Sequence, residues 1–516
     1  MKVVTSNQMR KIDKIAIEEY KIPSLNLMEN AGNSVVNLIK SKFGCPENKK
    51  IVIFAGKGNN GGDGFVAGRI LTNLGAKVKV YLLGKIKEVK GDAKINLERF
   101  RSLGKEIIEI TAPEDLLGEE NYLKEANLII DAILGTGTTG ELNELLRVTV
   151  DWLNSLNKPV VSIDIPTGVC ADTGRLLPTA IKAVYTVTMG LPKPGLILFP
   201  GSEYAGEVVI AKIGFPEELL EDKKLSLNLI TEELVKKMFS PRKKDTHKGD
   251  YGKIFILAGS AGFTGAAYLC SQSAIRTGAG LVTLGIPASL NDILEVKLTE
   301  VMTKPLPETK ERTLSLEAEE EILKFMEKSD ILAIGPGISQ NPETKELIRK
   351  IILKSKIPMV IDADGINAIA GSVDILKEIK VPLILTPHPG ELSRLINKNI
   401  EEIKTNPINI ARNFVQEYNA VLVLKLARTV IGEPSGQIYL NTTGNPGMAS
   451  GGVGDVLTGI IAALLGQNFS PIDSAIAGVY LHGYAGDLAK EKKGEFSLIA
   501  TDIIEEIPEV LKRMSN

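Results

Sequence analysis

The stretch IVIFAGKGNNGGDGFVAGRIL, residues 51–71, decides the fold of the first half of the chain. A short apolar run closes on glycine, a loop dense in Gly, Asn and Asp follows, and a helical pattern opens directly behind it. A parallel strand buried on both faces passes in this way into the helix that covers it. Working outward, KVKVYLLG (77–84), NLIIDAILG (127–135) and PVVSIDIPTG (159–168) repeat the apolar run, with helical patterns such as 63–74 and 141–157 among them. A second series starts at KIFILAGS (253–260). It continues through LVTLGIP (281–287), ILAIGPG (331–337), PMVIDADG (358–365), PLILTPHPG (382–390) and VLVLKLA (421–427), with helical stretches such as 316–328 and 455–466. Both halves are expected to be doubly wound α/β domains. The expected bounds are 1–215 and 241–516, with the charged stretch 216–240, which has little strand pattern, as a linker.

The 516 residues are 44% hydrophobic and 24% charged, which excludes a disordered chain. With 61 Lys+Arg against 63 Asp+Glu there is no basic excess to neutralise a phosphate backbone, so no nucleic-acid partner is expected. Cys45, Cys170 and Cys270 are far apart, which fits a reducing compartment and excludes a thiolate metal site. His247, His388 and His482 are equally scattered. No run approaches 18 apolar residues and the N-terminus has no apolar leader, so a cytoplasmic protein without a membrane partner is expected.

Gly56, Gly58 and Gly61 satisfy G-x-G-x-x-G, yet Tyr81 stands where a dinucleotide fold places an acid for the ribose. Ordinary NAD binding is therefore disfavoured. The unusual feature is the density of Asn59, Asn60, Gly61, Gly62, Asp63 and Gly64 between strand and helix, suited to close backbone approach and phosphate binding. The plain alternative is a tight turn with Asp63 as helix cap. Asp131 and Asp164 close two further runs. Asn60, Asp131, Asp164 and Thr167 are expected to converge at the carboxyl ends of the strands, where oxygen donors suit a hard cation. Singly, each such acid is as well read as a cap.

In the second half, Gly451, Gly452 and Gly454 precede Asp455 and an apolar helix. Backbone amides there suit a transferring phosphate, and Asp455 suits proton removal from a hydroxyl. No Gly-Lys pair is followed by Ser or Thr, so this is not a P-loop. A glycine-rich helix start capped by Asp455 is the alternative, as a simple turn is for His388 between two prolines.

The first-half segments, together with TSNQMRKID (5–13) and LMENAG (27–32), resemble the epimerase domain of the NAD(P)H-hydrate repair enzymes, the YjeF family. The resemblance implies that the hydrated dinucleotide is held by Asn59, Asn60, Gly61, Gly62 and Asp63, by Gly135, Thr136, Gly137, Thr138, Thr139, Gly140 and Glu141, and by Asp164. It also implies a potassium ion on Asn60, Asp131 and Thr167, where Thr167 replaces the usual Ser. GGVGD (451–455) resembles the anion hole of ribokinase-like kinases. With HKGDYG, GPG (335–337), DADGIN (362–367) and TPHPGE (386–391), it is closer still to the NAD(P)H-hydrate dehydratase domain. That resemblance places the hydrate at Ala266, Gly337, His388 and Asp455. It places the adenine nucleotide along Lys425, Leu426, Ala427, Arg428 and Thr429 and at Asn445, Gly451, Gly452, Val453 and Gly454. Leu426 stands where the family usually has Gly.

The fusion implies a bifunctional enzyme in which Asp164 moves protons in epimerisation and Asp455 deprotonates the hydroxyl to be phosphorylated. ADP is the implied donor, with Mg2+, and a homo-oligomer is expected. Two rivals follow from the same residues: a small-alcohol kinase with a regulatory first half, and a first half that senses nucleotide without turnover.

Overall fold

The computed structural model describes residues 1–137 and 140–515, so Thr138 and Thr139 lie outside the described residues. The chain divides into two compact units, one of Lys2–Leu225 and one running from Ser226 onward.

In the first unit the strands lie in the order Ile107–Ile110, Lys77–Leu83, Lys50–Ala55, Leu128–Ala132, Val160–Ile163, Tyr185–Met189, Glu207–Ala211, and every neighbouring pair is parallel. Chain direction across the sheet reverses between Lys50–Ala55 and Leu128–Ala132. Ligands bind beyond the carboxyl ends of strands at such a switch point. Both loops leaving these two strands are the ones singled out in the sequence. Ile51, Val52, Ile53 and Phe54 are wholly buried, as expected of a strand covered on both faces.

The helix after the glycine loop spans Asn59–Asn73, four residues earlier than the pattern 63–74 suggested, with Gly58 at its N-cap. Asp63 therefore lies inside the helix and is not its cap. The glycines set the approach of this turn to its neighbours. A Cβ on Gly56 would stand 1.9 Å from the Ile133 carbonyl oxygen, and one on Gly61 would stand 1.9 Å from that of Gly56.

The sheet of the second unit runs Leu227–Leu229, Ile438–Leu440, Val430–Gly432, Val421–Leu424, Leu383–Leu385, Met359–Ile361, Ile331–Ile334, Lys253–Leu257, Leu281–Pro287, Met302–Leu306. It is parallel except where Val430–Gly432 meets its two neighbours. The stretch 216–240 carries more structure than its composition suggested. Leu227–Leu229 pairs with Ile438–Leu440, and the helix Glu232–Lys236 follows. Three residues are too few for an apolar period to register. The helix Val453–Gly466 is apolar on every side because it is buried on every side. At Gly459 it comes so close to the helix Thr264–Arg276 that a Cβ would lie 2.1 Å from the Cys270 carbonyl oxygen.

Gly56→Ala should destabilise the first unit by about 3 kcal/mol, because the new methyl meets backbone that cannot yield. Gly58→Ala, with no atom within 4 Å and φ of −96°, should stay within about 1 kcal/mol of the unaltered protein. Urea unfolding of the two variants measures the difference.

Candidate functional site

In the first unit a cavity of about 810 Å³ opens at the switch point, within the range of small-molecule sites. Asn59, Asn60, Asp63, Gly135, Thr136, Gly137 and Asp164 border it, and so do Asp13 and Lys193, which the sequence reading had not assigned. Gly61 and Gly62 do not border it. The first abuts Gly56, and a Cβ on the second would meet the Met28 sulfur at 2.7 Å. Gly140 and Glu141 are exposed and lie off the cavity.

Asp164 follows the strand Val160–Ile163 with φ of +65°, a left-handed conformation that Asp tolerates better than most residues. Its Oδ1 accepts a hydrogen bond from the Lys193 Nζ at 2.6 Å. The Lys193 side chain is entirely buried and also donates to the Thr188 hydroxyl and the Met189 carbonyl, so all three ammonium protons are used. Burial pushes the Asp164 carboxyl up. The Lys193 charge and the backbone amides of Met189 and Thr136 pull it down further, leaving it below its ordinary value and ionised. Asp63 is driven the other way, well above the usual carboxylate range, by burial and by the charges of Asp164 and Asp13.

Asp131 and Thr167 do converge. The Thr167 hydroxyl donates to Asp131 Oδ1 at 2.7 Å, while the Thr167 amide and the Ser162 hydroxyl donate to Oδ2 at 2.8 Å. The Thr167 oxygen in turn accepts from the Leu134 amide. Asp131 is fully buried, and burial raises its pKa despite these bonds. Asn60 lies against Gly135, and both atoms of its buried amide lack a hydrogen-bond partner. An orphaned carbonyl oxygen at a loop of this kind suits a cation.

In the second unit Asp455 lies in the first turn of Val453–Gly466, behind Gly452, whose φ of +87° turns the chain into the helix. Burial and the charges of Asp362, Glu391 and Asp364 outweigh Lys425 and push Asp455 up to about 7. Lys425 Nζ donates to Asp362 Oδ1 at 2.6 Å, and the Thr458 hydroxyl donates to Oδ2 at 2.6 Å. Burial pulls the Lys425 ammonium down, but Asp362 and Glu391 hold it above its ordinary value. Lys425 also faces Gly454, where a Cβ would come within 3.5 Å of Nζ.

His388 caps the helix Pro389–Ile396. Its Nδ1 accepts from the Gly390 and Glu391 amides, its own amide donates to Glu391 Oε2, and its Nε2 stands 3.3 Å from Oε1. With Nδ1 accepting, the proton sits on Nε2. Gly337, with φ of +59°, abuts Ala266 and Phe263, so two of the expected hydrate contacts are neighbours. Asn445 is occupied structurally: its Nδ2 and the Gly444 amide both donate to Asp487. The Thr429 hydroxyl bonds back to the Leu426 carbonyl, Arg428 donates to the Thr442 carbonyl, and Ala427 is exposed.

Sequence reading missed Asp13, Lys193 and Asp362 as site residues. Asp13 stood in the quoted TSNQMRKID and Asp362 in DADGIN. Lys193 could have been noticed as a lysine between two prolines in an apolar stretch, LPKPG.

A family model described as NAD(P)H-hydrate dehydratase matches residues 254–509, and one described as YjeF-related protein N-terminus matches 24–195. The bifunctional NAD(P)H-hydrate repair enzyme of Moorella thermoacetica is 42% identical over 100% of this chain and 97% of its own. That of Escherichia coli is 32% identical over 98% of this chain and 93% of its own. A crystal structure of an ADP/ATP-dependent NAD(P)H-hydrate dehydratase from Bacillus subtilis, co-crystallised with ATP and Mg2+, is 30% identical. It covers 56% of this chain and 99% of its own at a TM-score of 0.49.

Lys193→Met should cost the first unit about 3 kcal/mol at neutral pH by leaving a buried carboxylate unpaired. Because the Asp164 pKa is depressed on folding, its contribution is present above the unfolded value and is lost as pH falls through the folded one. Denaturant titrations from pH 7 to pH 3 should therefore show the gap between variant and unaltered protein closing as acid is added.

Proposed function

The chain belongs to the family of bifunctional NAD(P)H-hydrate repair enzymes, and on that premise we propose that its first unit interconverts the epimers of hydrated NADH and NADPH while its second dehydrates the S epimer. It is an enzyme with two activities. The observation that carries the division of labour is the contrast between two carboxyls in separate units, one directly behind a strand and one in the first turn of a helix. Asp164 is held ionised by the buried Lys193, and Asp455 is poised near neutrality.

The hydrate carries its hydroxyl on a carbon beside the ring nitrogen, so the nitrogen lone pair assists departure of that group. Inverting the centre needs little beyond positioning and carboxyls that move protons. Dehydration is harder because hydroxide leaves poorly. Asp455 takes the hydroxyl proton as its oxygen attacks the terminal phosphorus of ADP, and AMP departs. The Gly451–Gly454 amides at the helix start stabilise the transferring phosphoryl. Phosphate then leaves with the former hydroxyl oxygen, and loss of a ring proton restores NAD(P)H. A pKa near the working pH suits Asp455 to this role.

The donors of the first site fit a monovalent cation. Asn60 offers an unpartnered carbonyl, Asp131 the one formal charge, and Thr167 a hydroxyl oxygen. Bound there, potassium would offset the buried Asp131 charge and part of the dinucleotide's phosphate charge. In the second unit no three carboxylate, histidine or cysteine side chains among the described residues are grouped to hold a metal ion. Magnesium would accordingly be held by nucleotide phosphates and water. The enzyme is then cytoplasmic and homo-oligomeric. Among the described residues no helix is long and apolar enough to cross a membrane.

The test is purified chain with hydrated NADH, with and without ADP, followed by NADH absorbance, epimer ratio and released phosphate. Asp455→Asn should abolish ADP-dependent NADH recovery and leave epimerisation intact, and Asp164→Asn should do the reverse. A stable phosphorylated product in place of released phosphate would identify a kinase. Since Asp455 must be ionised to act, dehydratase kcat should fall as pH drops through about 7 and level off above it. A pH–rate profile at saturating substrates checks this.

A further inference from the structure

The epimerase cavity holds a second acid whose setting is opposite to that of Asp164. The helix Ser6–Glu18, fixed at its start by a capping box between Thr5 and Gln8, turns Met9, Asp13 and Ile17 toward the cavity and buries Ile12 and Ala16 on the adjoining stripe. Asp13 therefore reaches the cavity from a different element than Asp164. Among the described residues no hydrogen bond or ion pair holds its carboxyl, although Arg10, Asp63, Asp164 and Lys193 border the same space. Lys193 is committed to Asp164, Thr188 and Met189 and has no proton left for Asp13. One acid is thus clamped by a cation and the other is half-buried and unclamped.

We propose that Asp13 is a second catalytic residue of the epimerase, acting on the departing or arriving hydroxyl at one face of the ring while Asp164 acts at the other. The assignment rests on the reading of this unit as an epimerase. Inversion through an iminium requires an acid for the leaving hydroxyl and a base for the water that adds. The carbon–oxygen bond breaks as the nitrogen lone pair forms the carbon–nitrogen double bond, and the Asp13 proton passes to the leaving hydroxyl, giving water. Water then adds to the opposite face, the double-bond pair returns to nitrogen, and the excess proton goes to Asp164. In the reverse direction the two acids exchange roles, and proton exchange with solvent resets them for another turnover in the same direction. Burial and the neighbouring Asp164 charge raise Asp13 to about 6 against the opposing pull of Lys193. Two carboxyls whose surroundings push them apart are the arrangement that acid–base pairs use.

The test uses the full chain and one purified epimer of hydrated NADH without nucleotide, with the spontaneous rate subtracted. Asp13→Asn should lower epimerisation kcat by about 10²–10⁴-fold with KM within about twofold, and Asp13→Glu should recover part of the rate. In ¹⁸O-labelled water each inverted product should carry label in its hydroxyl. An unaltered rate in Asp13→Asn would overturn the proposal alone. So would parallel loss of kcat and substrate binding, or inversion without label, which would mark ring opening and reclosure. Absence of epimerisation by the unaltered chain would instead overturn the reading on which it rests.

Discussion

Each unit holds a strand-end carboxylate out of water with a lysine ammonium 2.6 Å away: Lys193 on Asp164 in the first, Lys425 on Asp362 in the second. An isolated charge at such depth would be neutralised or would unfold its surroundings, so the pairing is what permits ionised oxygens in a largely apolar crevice. Burial raises the neighbouring acids and the fixed charges adjust the rise: Asp164 adds to it at Asp63, Lys193 opposes it at Asp13 more than Asp164 adds, and Asp362 adds to it at Asp455. A clamped carboxylate with an unclamped acid near it recurs in both units, though the chemistry asked of each differs.

The glycine positions serve this arrangement by bringing backbone close. Gly56 and Gly61 let the loop after Lys50–Ala55 lie on the loop after Leu128–Ala132, which brings Asn60 against Gly135. Gly452 lets the chain enter Val453–Gly466 so that Asp455 falls in the first turn. Glycine density in the sequence therefore marks two kinds of position. Gly135 and Gly137 border open space, while Gly61 and Gly62 are consumed by packing. Sequence alone treats all four alike.

The doubly wound class was legible in short apolar runs ending in Gly or Asp, because strands buried on both faces have no polar face to interrupt the run. Strand-end acids such as Asp131 and Asp164 were legible for the same reason, as charges where an apolar run stops, and Asp455 was legible as the acid between a glycine cluster and an apolar helix. The short strand Leu227–Leu229 and the early start of the helix at Asn59 were not, since three residues carry no period and Asn-Gly-Gly reads as turn.

By itself the sequence determined the two α/β halves, the glycine loops and the strand-end acids, because these follow from local patterning along the chain. Tertiary structure alone decided which acids share a cavity and what charge each carries. Asp13 and Asp164 are 151 positions apart, and Lys193 reaches Asp164 only through the turn after Tyr185–Met189. Ionisation depends on burial and on the nearest opposite charge, and both are properties of assembled surroundings that no single segment encodes.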